Sequence, residues 1–100
     1  MIRGTTPKHI FTVPFDVNNL SKVRVIYAQD YNVIFTKTEA DCVLEGNSIS
    51  VTLKQEDTFK FDHKKSVQIQ LRVLTVAKEV LSSTVQTVGI SKCLEEEVLL

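Results

Sequence analysis

The chain has 100 residues, of which 43% are hydrophobic and 24% are charged, and its 12 basic and 12 acidic side chains give a formal net charge of zero. Proteins that bind nucleic acid normally carry an excess of Lys and Arg, so this balance argues against nucleic acid as a partner. No stretch approaches the roughly 18 apolar residues of a membrane helix, and the N-terminus lacks the apolar core of a signal peptide. We therefore expect no membrane partner and no signal-directed export.

The first segments of the chain alternate apolar and polar residues in the manner of β-strands. The first of them, His9–Phe15, is bracketed by two prolines, which predicts an edge strand or a crossing between sheets. The next two, Leu20–Gln29 and Val33–Lys37, are separated by a short polar turn around Asp30. This spacing predicts a hairpin.

A second predicted hairpin follows. A short strand, Cys42–Glu45, precedes a turn at Gly46 and Asn47, two residue types that tolerate a positive φ. The returning strand, Ser48–Lys54, places its aliphatic residues on one face. The segment Gln55–Phe61 is acidic at its start, and we expect one helical turn there that plugs the end of the fold.

The longest alternation runs from Ser66 to Ser91. Its first half has one aliphatic face, typical of an antiparallel strand with a buried and a solvated side. The residues of the opposite face are Gln68, Gln70, Arg72, Leu74 and Val76. We expect this face to contact a partner. The turn Ala77–Glu79 lacks glycine, which predicts a loose turn, and the mixed apolar phase of Val80–Ser91 predicts a bulge in the last strand.

About seven short strands and no convincing amphipathic helix predict an all-β fold over residues 1–100, an antiparallel β-sandwich of immunoglobulin-like or fibronectin-like kind. A small barrel is the alternative. The chain has no Trp and no paired cysteines around one. The pattern therefore predicts an architecture and not a particular family.

No combination of residues predicts an active site, a cofactor site or a metal site. The residues whose side chains commonly bind zinc are Cys42, Cys93, His9 and His63. They lack the short ligand spacing of structural zinc sites, and the same scatter argues against a Cys–His nucleophile. The loop carboxylates Glu39, Asp41, Glu56 and Asp57 are assigned to turns and helix caps. We expect a protein that is not an enzyme and needs no cofactor.

Two further features leave alternatives open. Tyr27, Tyr31 and Phe35 are assigned to the core because they share the alternation of their strands, and the alternative is a surface on which carbohydrate stacks. The C-terminal segment Glu95–Leu100 combines three glutamates with three aliphatic residues. It is either a frayed end or a segment that docks on a neighbouring subunit.

Several motifs resemble small proteins of about 100 residues that are encoded in the tail-structure gene clusters of tailed phages and prophages of Gram-positive bacteria. The motifs are RGTTP at the start, YAQ at Tyr27–Gln29, LEGN at Leu44–Asn47, LKQEDT at Leu53–Thr58, VQIQLR at Val67–Arg72 and CLEEEVL near the end. The likeness covers essentially the whole chain. At the turn before the last strand, where that pattern favours glycine, this chain has Ala77 and Lys78.

The resemblance implies a β-sandwich component of a virion or of its assembly, associated with a tail or baseplate. It implies partners among other phage structural proteins or further copies of the chain, and a location in the virion or in the host cytoplasm during assembly. It carries no functional residues to this sequence. The alternative function is a carbohydrate-binding module that recognises glycans on the host surface.

Overall fold

The computed structural model describes residues 1–100 and consists mainly of antiparallel β-strands. The strands and the helix are β1 (Lys8–Thr12), β2 (Leu20–Gln29), β3 (Asn32–Thr38), β4 (Cys42–Glu45), β5 (Ser48–Thr52), α1 (Gln55–Phe59), β6 (Val67–Thr75), β7 (Val80–Ser82) and β8 (Gln86–Val88). Short 3-10 turns precede β2 and β4. No helix in the chain is long and apolar enough to cross a membrane.

The strands form two sheets. The smaller sheet has the order β1-β5-β4, and the larger has the order β3-β2-β6, with β7 and β8 end to end along the free side of β6. The all-β class and both predicted hairpins, β2–β3 and β4–β5, are therefore confirmed. With β7 and β8 counted as one interrupted strand, the strand number is the predicted seven.

The inner faces of the two sheets share one hydrophobic core. The alternation of β2 places Val23, Val25 and Tyr27 in it, and the alternation of β6 adds the aliphatic face predicted from the sequence. The buried members of this core are Val13, Val17, Val23, Val25, Tyr27, Ile49, Val51, Leu53, Phe61, Val67, Ile69, Leu71 and Val73. Nine of them come from β2, β5 and β6, and the other four lie in the connecting segments, so the two sheets pack on each other in a β-sandwich arrangement.

The last strand contains the predicted bulge. Strand β6 pairs with β7 from Leu74, opposite Val80, and with β8 from Val67, opposite Val88, so the register shifts by one residue between the two. At the interruption, Ser83 donates its backbone N–H to Leu71 O at 2.8 Å, and its Oγ accepts the N–H of Leu71 at 3.0 Å. The extra residue follows Ser83 and breaks the strand into two short pieces.

The turn between β6 and β7 differs from the prediction. It is tight rather than loose, because Lys78 adopts the left-handed conformation with φ 65°. The N–H of Lys78 donates to Thr75 O at 2.9 Å, and the N–H of Thr75 donates to Glu79 O at the same distance. A type I turn followed by one left-handed residue is a common three-residue hairpin loop, in which glycine usually takes the left-handed position.

The sandwich has two lateral sides that differ in construction. On the closed side, the chain crosses from β3 to β4 through Glu39–Asp41, and Phe61 lies buried between the sheets just after α1. This confirms the predicted helical turn that plugs the fold. On the open side, β1 faces β7 and β8 without hydrogen-bonding to them. A cleft of about 590 Å³ lies between these edges.

Candidate functional site

A contact between His9 and Tyr27 joins the two sheets. His9 Nδ1 lies 2.7 Å from the Tyr27 hydroxyl, and the Tyr27 ring stacks on Phe35 with 4.9 Å between centroids. Burial lowers the pKa of His9, with a further contribution from the positive N-terminus. Burial also raises the pKa of Tyr27. Both shifts favour the neutral side chains, and their contact joins β1 of the smaller sheet to β2 of the larger sheet.

The four candidate zinc ligands do not come together. Both cysteines are free and half-buried, and the chain contains no group of three His, Cys, Asp or Glu side chains that could hold a metal ion. Burial raises the pKa of the Cys42 thiol, and the carboxylates of Asp41 and Glu39 add to this effect. These effects favour the protonated thiol, which is a weak nucleophile.

The loop carboxylates stabilise the fold locally. Asp57 Oδ2 accepts the N–H of Lys54 at 2.8 Å and pairs with Lys37 Nζ at 2.9 Å. Burial opposes ionisation of this carboxyl, but the Lys54 N–H and the Lys37 ammonium outweigh it and hold the pKa of Asp57 below its ordinary value. Asp41 accepts the N–H of Thr38, which caps the turn into β4. These contacts agree with the roles in turns and caps assigned from the sequence.

The predicted partner-facing residues divide into two groups. The side chains of Gln68 and Gln70 are half-buried and bonded within the chain, to the N–H of Tyr31 at 2.7 Å and to Ser83 O at 3.0 Å. Arg72 and Val76 are exposed, and Leu74 is half-buried beside Val80. The half of the row near the β6–β7 turn is thus the part available to a partner.

This half continues into an exposed aliphatic surface along β7. We call the aliphatic residues on both faces of this edge the aliphatic edge. Half-buried Leu74 and exposed Val80 are neighbours on the outer face, Leu81 lies beside Val73 on the cleft side, and Val76 and Val85 lie in the adjoining loops. Val76 and Val80 expose 64% and 58% of their surface. The sequence interpretation placed only Leu74 and Val76 on such a surface. The missed signal is that no charged residue occurs between Val80 and Ser91.

The cleft of the open side adjoins the aliphatic edge. Phe11, Val13 and Phe15 line one wall, and Leu71, Val73 and Leu81 line the other. Backbone groups on the free edges of β1 and β7 have no strand partner in the chain. An unpaired edge normally carries charged residues or proline that discourage pairing with another chain, and β7 carries neither.

The aromatic residues of the β2–β3 hairpin have different environments. Tyr27 is fully buried and Phe35 is half-buried, so the core interpretation is confirmed for these two. It is wrong for Tyr31, which is 82% exposed. Asp30 and Tyr31 both have positive φ values and form the two-residue turn itself, so the Tyr31 ring projects into solvent.

The C-terminal segment is held against α1. Gln55 binds the backbone of Leu99 twice, accepting its N–H at 2.6 Å and donating to its carbonyl at 2.7 Å. Arg3 contacts both carboxylate oxygens of Glu96 at 2.7 Å and donates to Phe59 O at 3.0 Å. The segment forms no strand or helix, but these contacts leave the side chains of Leu99 and Leu100 exposed at a defined position.

Comparisons with protein families, with curated proteins and with solved structures found no match to this chain.

Proposed function

We propose that the chain is a non-enzymatic structural or assembly module that acts through protein–protein contacts, with the aliphatic edge as its docking surface. The observation that carries this proposal is an unpaired edge strand that is exposed, aliphatic and free of charge from Val80 to Ser91. Pairing with another chain would satisfy the free backbone groups of β7 and remove the aliphatic side chains from water.

The setting we propose is the tail or baseplate of a phage or prophage particle, or its assembly in the host cytoplasm. This part rests on the motifs that resemble small tail-cluster proteins, from RGTTP to CLEEEVL. Repeated copies on a ring or tube would multiply contacts that are weak individually. Mass spectrometry of purified particles from the parent genome tests the setting. If the chain is absent from the purified particles, the proposed role is restricted to that of an assembly factor.

The docking role is tested by measuring molar mass with light scattering over a wide range of protein concentration. We expect the wild-type mass to rise above the 11.3 kDa of one chain, alone or with the products of neighbouring genes. The Val80→Lys variant should remain at the mass of one chain, because its ammonium would have to be buried on docking. Val43→Lys, the same change at an exposed valine of β4 on the closed side, is the matched control. A wild type that binds neither itself nor those products would contradict the role.

For the fold, we propose a relation to immunoglobulin-like domains in architecture only. In immunoglobulin constant domains the second and third strands lie in opposite sheets. Here β2 and β3 form a hairpin within one sheet, next to β6. The strand count and the facing antiparallel sheets support the general architecture, whereas the strand order differs.

Carbohydrate binding is the second candidate, and the exposed ring of Tyr31 favours it. The other proposed stacking residue, Tyr27, is fully buried and takes no part. A glycan array compares wild type with Tyr31→Ala. Binding that the variant loses would support this candidate, and an array without signal would exclude it.

A further inference from the structure

Two cations on the outer face of the larger sheet, Lys22 and Arg72, have no acidic partner. Arg24 lies directly opposite Arg72 in the β2–β6 pairing, an arrangement of like charges that disfavours pairing. The guanidinium of Arg24 is paired with Glu39 at 2.8 Å. Arg72, by contrast, donates to the hydroxyl of Ser82 at 3.3 Å, and neither Arg72 nor Lys22 takes part in any of the four ion pairs of the molecule.

These cations lie next to the aliphatic edge. Lys22 pairs in register with Leu74, and Leu74 pairs with Val80 on its other side. Together with Arg24 and Arg72, these residues line a hollow of about 160 Å³. We call this surface the basic face. A complementary partner would bring carboxylates to Lys22 and Arg72 and aliphatic side chains to Leu74 and Val80.

The C-terminal segment has this chemistry. Glu95 and Glu97 are exposed and take part in no ion pair, and the aliphatic side chains of Leu99 and Leu100 follow them. The bonds from Gln55 and Arg3 already order the segment, which reduces the conformational entropy lost on docking. The segment therefore offers both the carboxylates and the aliphatic side chains that would complement the basic face.

A chain does not satisfy its own basic face. The C-terminal segment is bonded to Gln55 in α1, near the end of the sandwich where Phe61 contacts Tyr27 late in β2. The basic face lies near the start of β2, at Lys22, in a molecule that measures 46 Å along its longest axis. The complementary surfaces thus lie toward opposite ends and can meet between copies.

We propose that Glu95–Leu100 of one copy docks on the basic face of a second copy, in a head-to-tail contact. This inference rests on the proposed docking role of the aliphatic edge and names its partner as the chain itself. A contact between two different surfaces generates a ring if the rotation closes and a filament if it does not. Because the contact depends on exposed charges, it weakens as the salt concentration rises.

The test combines charge reversals on the two surfaces. The face variant is Lys22→Glu/Arg72→Glu, the tail variant is Glu95→Lys/Glu97→Lys, and a third variant carries all four changes. All four positions are exposed, and circular dichroism checks that each variant is folded. We expect each reversal alone to weaken self-association at least tenfold and the combined variant to regain it. Lys54→Glu/Lys64→Glu, which alters two exposed lysines away from the basic face, is the control and should associate like wild type.

The outcomes separate this inference from the proposed function. Self-association that Val80→Lys abolishes and the charge reversals leave unchanged would overturn the head-to-tail contact and leave the docking role intact. Loss in both single-surface variants without recovery in the combined variant would also overturn it. A wild type that stays monomeric but binds an acidic segment of another protein would show that the partner is not a second copy.

Discussion

The closed and open sides of the sandwich differ in how the space between the two sheets is filled. On the closed side, Phe61 packs 5.3 Å from Phe35 between ring centroids, and the Lys37–Asp57 ion pair bridges β3 and α1. On the open side, β1 and β7 leave a cleft of about 590 Å³ between aliphatic and aromatic walls. The chain therefore completes one lateral side with its own residues and leaves the other available to a partner.

The difference lies in chain connectivity. The closed side is crossed by the β3–β4 connection, and the segment after β5 supplies α1 and Phe61 to fill it. No comparable connection crosses between the middle parts of β1 and β7. A side that another chain covers needs no plug of its own, and aliphatic residues remain there without the protection of charge. We therefore propose that the closed side stabilises the isolated chain and that the open side docks a partner.

The largest expected effect on stability comes from removing a phenylalanine ring on the closed side, compared with one on the open side. Phe61→Ala removes a fully buried ring from the closed side and should lower the free energy of unfolding by about 3–5 kcal/mol. Phe15→Ala, its matched control, removes a half-buried ring beside the cleft and should cost less than about half as much. Urea denaturation followed by circular dichroism measures both. Equal losses would show that the isolated chain also depends on its open side.

A second test breaks the ion pair of the closed side. Asp57→Asn leaves Lys37 without its carboxylate and should lower the free energy of unfolding by about 2 kcal/mol at pH 7. Because folding lowers the pKa of Asp57, its contribution is present above the ordinary value of 3.8 and is lost as the pH falls through the folded-state value. Wild type should therefore lose its advantage over the variant below about pH 4.

The control for this test is Glu56→Gln, which alters an exposed neighbour in α1 that forms no ion pair. Its stability should match that of wild type at pH 7. An advantage of wild type over Asp57→Asn that persists unchanged into strong acid would show that the ionised carboxylate is not what stabilises the closed side.

A smaller effect is expected at the turn that leads into the open side. Lys78 has φ 65°, a conformation that costs a residue with a Cβ about 1–2 kcal/mol. Lys78→Gly relieves this cost but gains freedom in the unfolded chain, so we expect a net stabilisation of about 0.5–1 kcal/mol. Lys78→Ala loses the ammonium but keeps the left-handed strain. Thermal unfolding of the two variants separates backbone strain from charge, and equal midpoints would contradict the explanation.

The sequence predicted the bounds of individual strands better than it predicted which strands pair with each other. The bounds predicted for β2, Leu20–Gln29, are those of the structure, because a long alternation with one buried face leaves little freedom in register. Alternation does not specify which strands share a sheet. The pairing of β1 with β5 joins residues about forty positions apart, and no local pattern marks it.

The sequence predicted only part of the candidate site, for the same reason. Arg72, Leu74 and Val76 followed from the outer phase of β6, but the cleft depends on which edges remain unpaired, which is a property of the whole fold. Tyr31 was assigned to the core because it was taken to share the alternation of the strands, although it lies between the predicted strands Leu20–Gln29 and Val33–Lys37. A two-residue turn moves Tyr31 out of both strands. The uncharged run from Val80 to Ser91 was the one available signal for the open side.

The most direct test of the docking role is amide hydrogen exchange measured at low and high protein concentration. If the open side docks, protection of the amides from Val80 to Val88 should increase with concentration, while protection of Asn32–Thr38, the edge strand of the closed side, should stay constant. Protection that is independent of concentration at both edges, or that increases at Asn32–Thr38 instead, would contradict the assignment of docking to the open side.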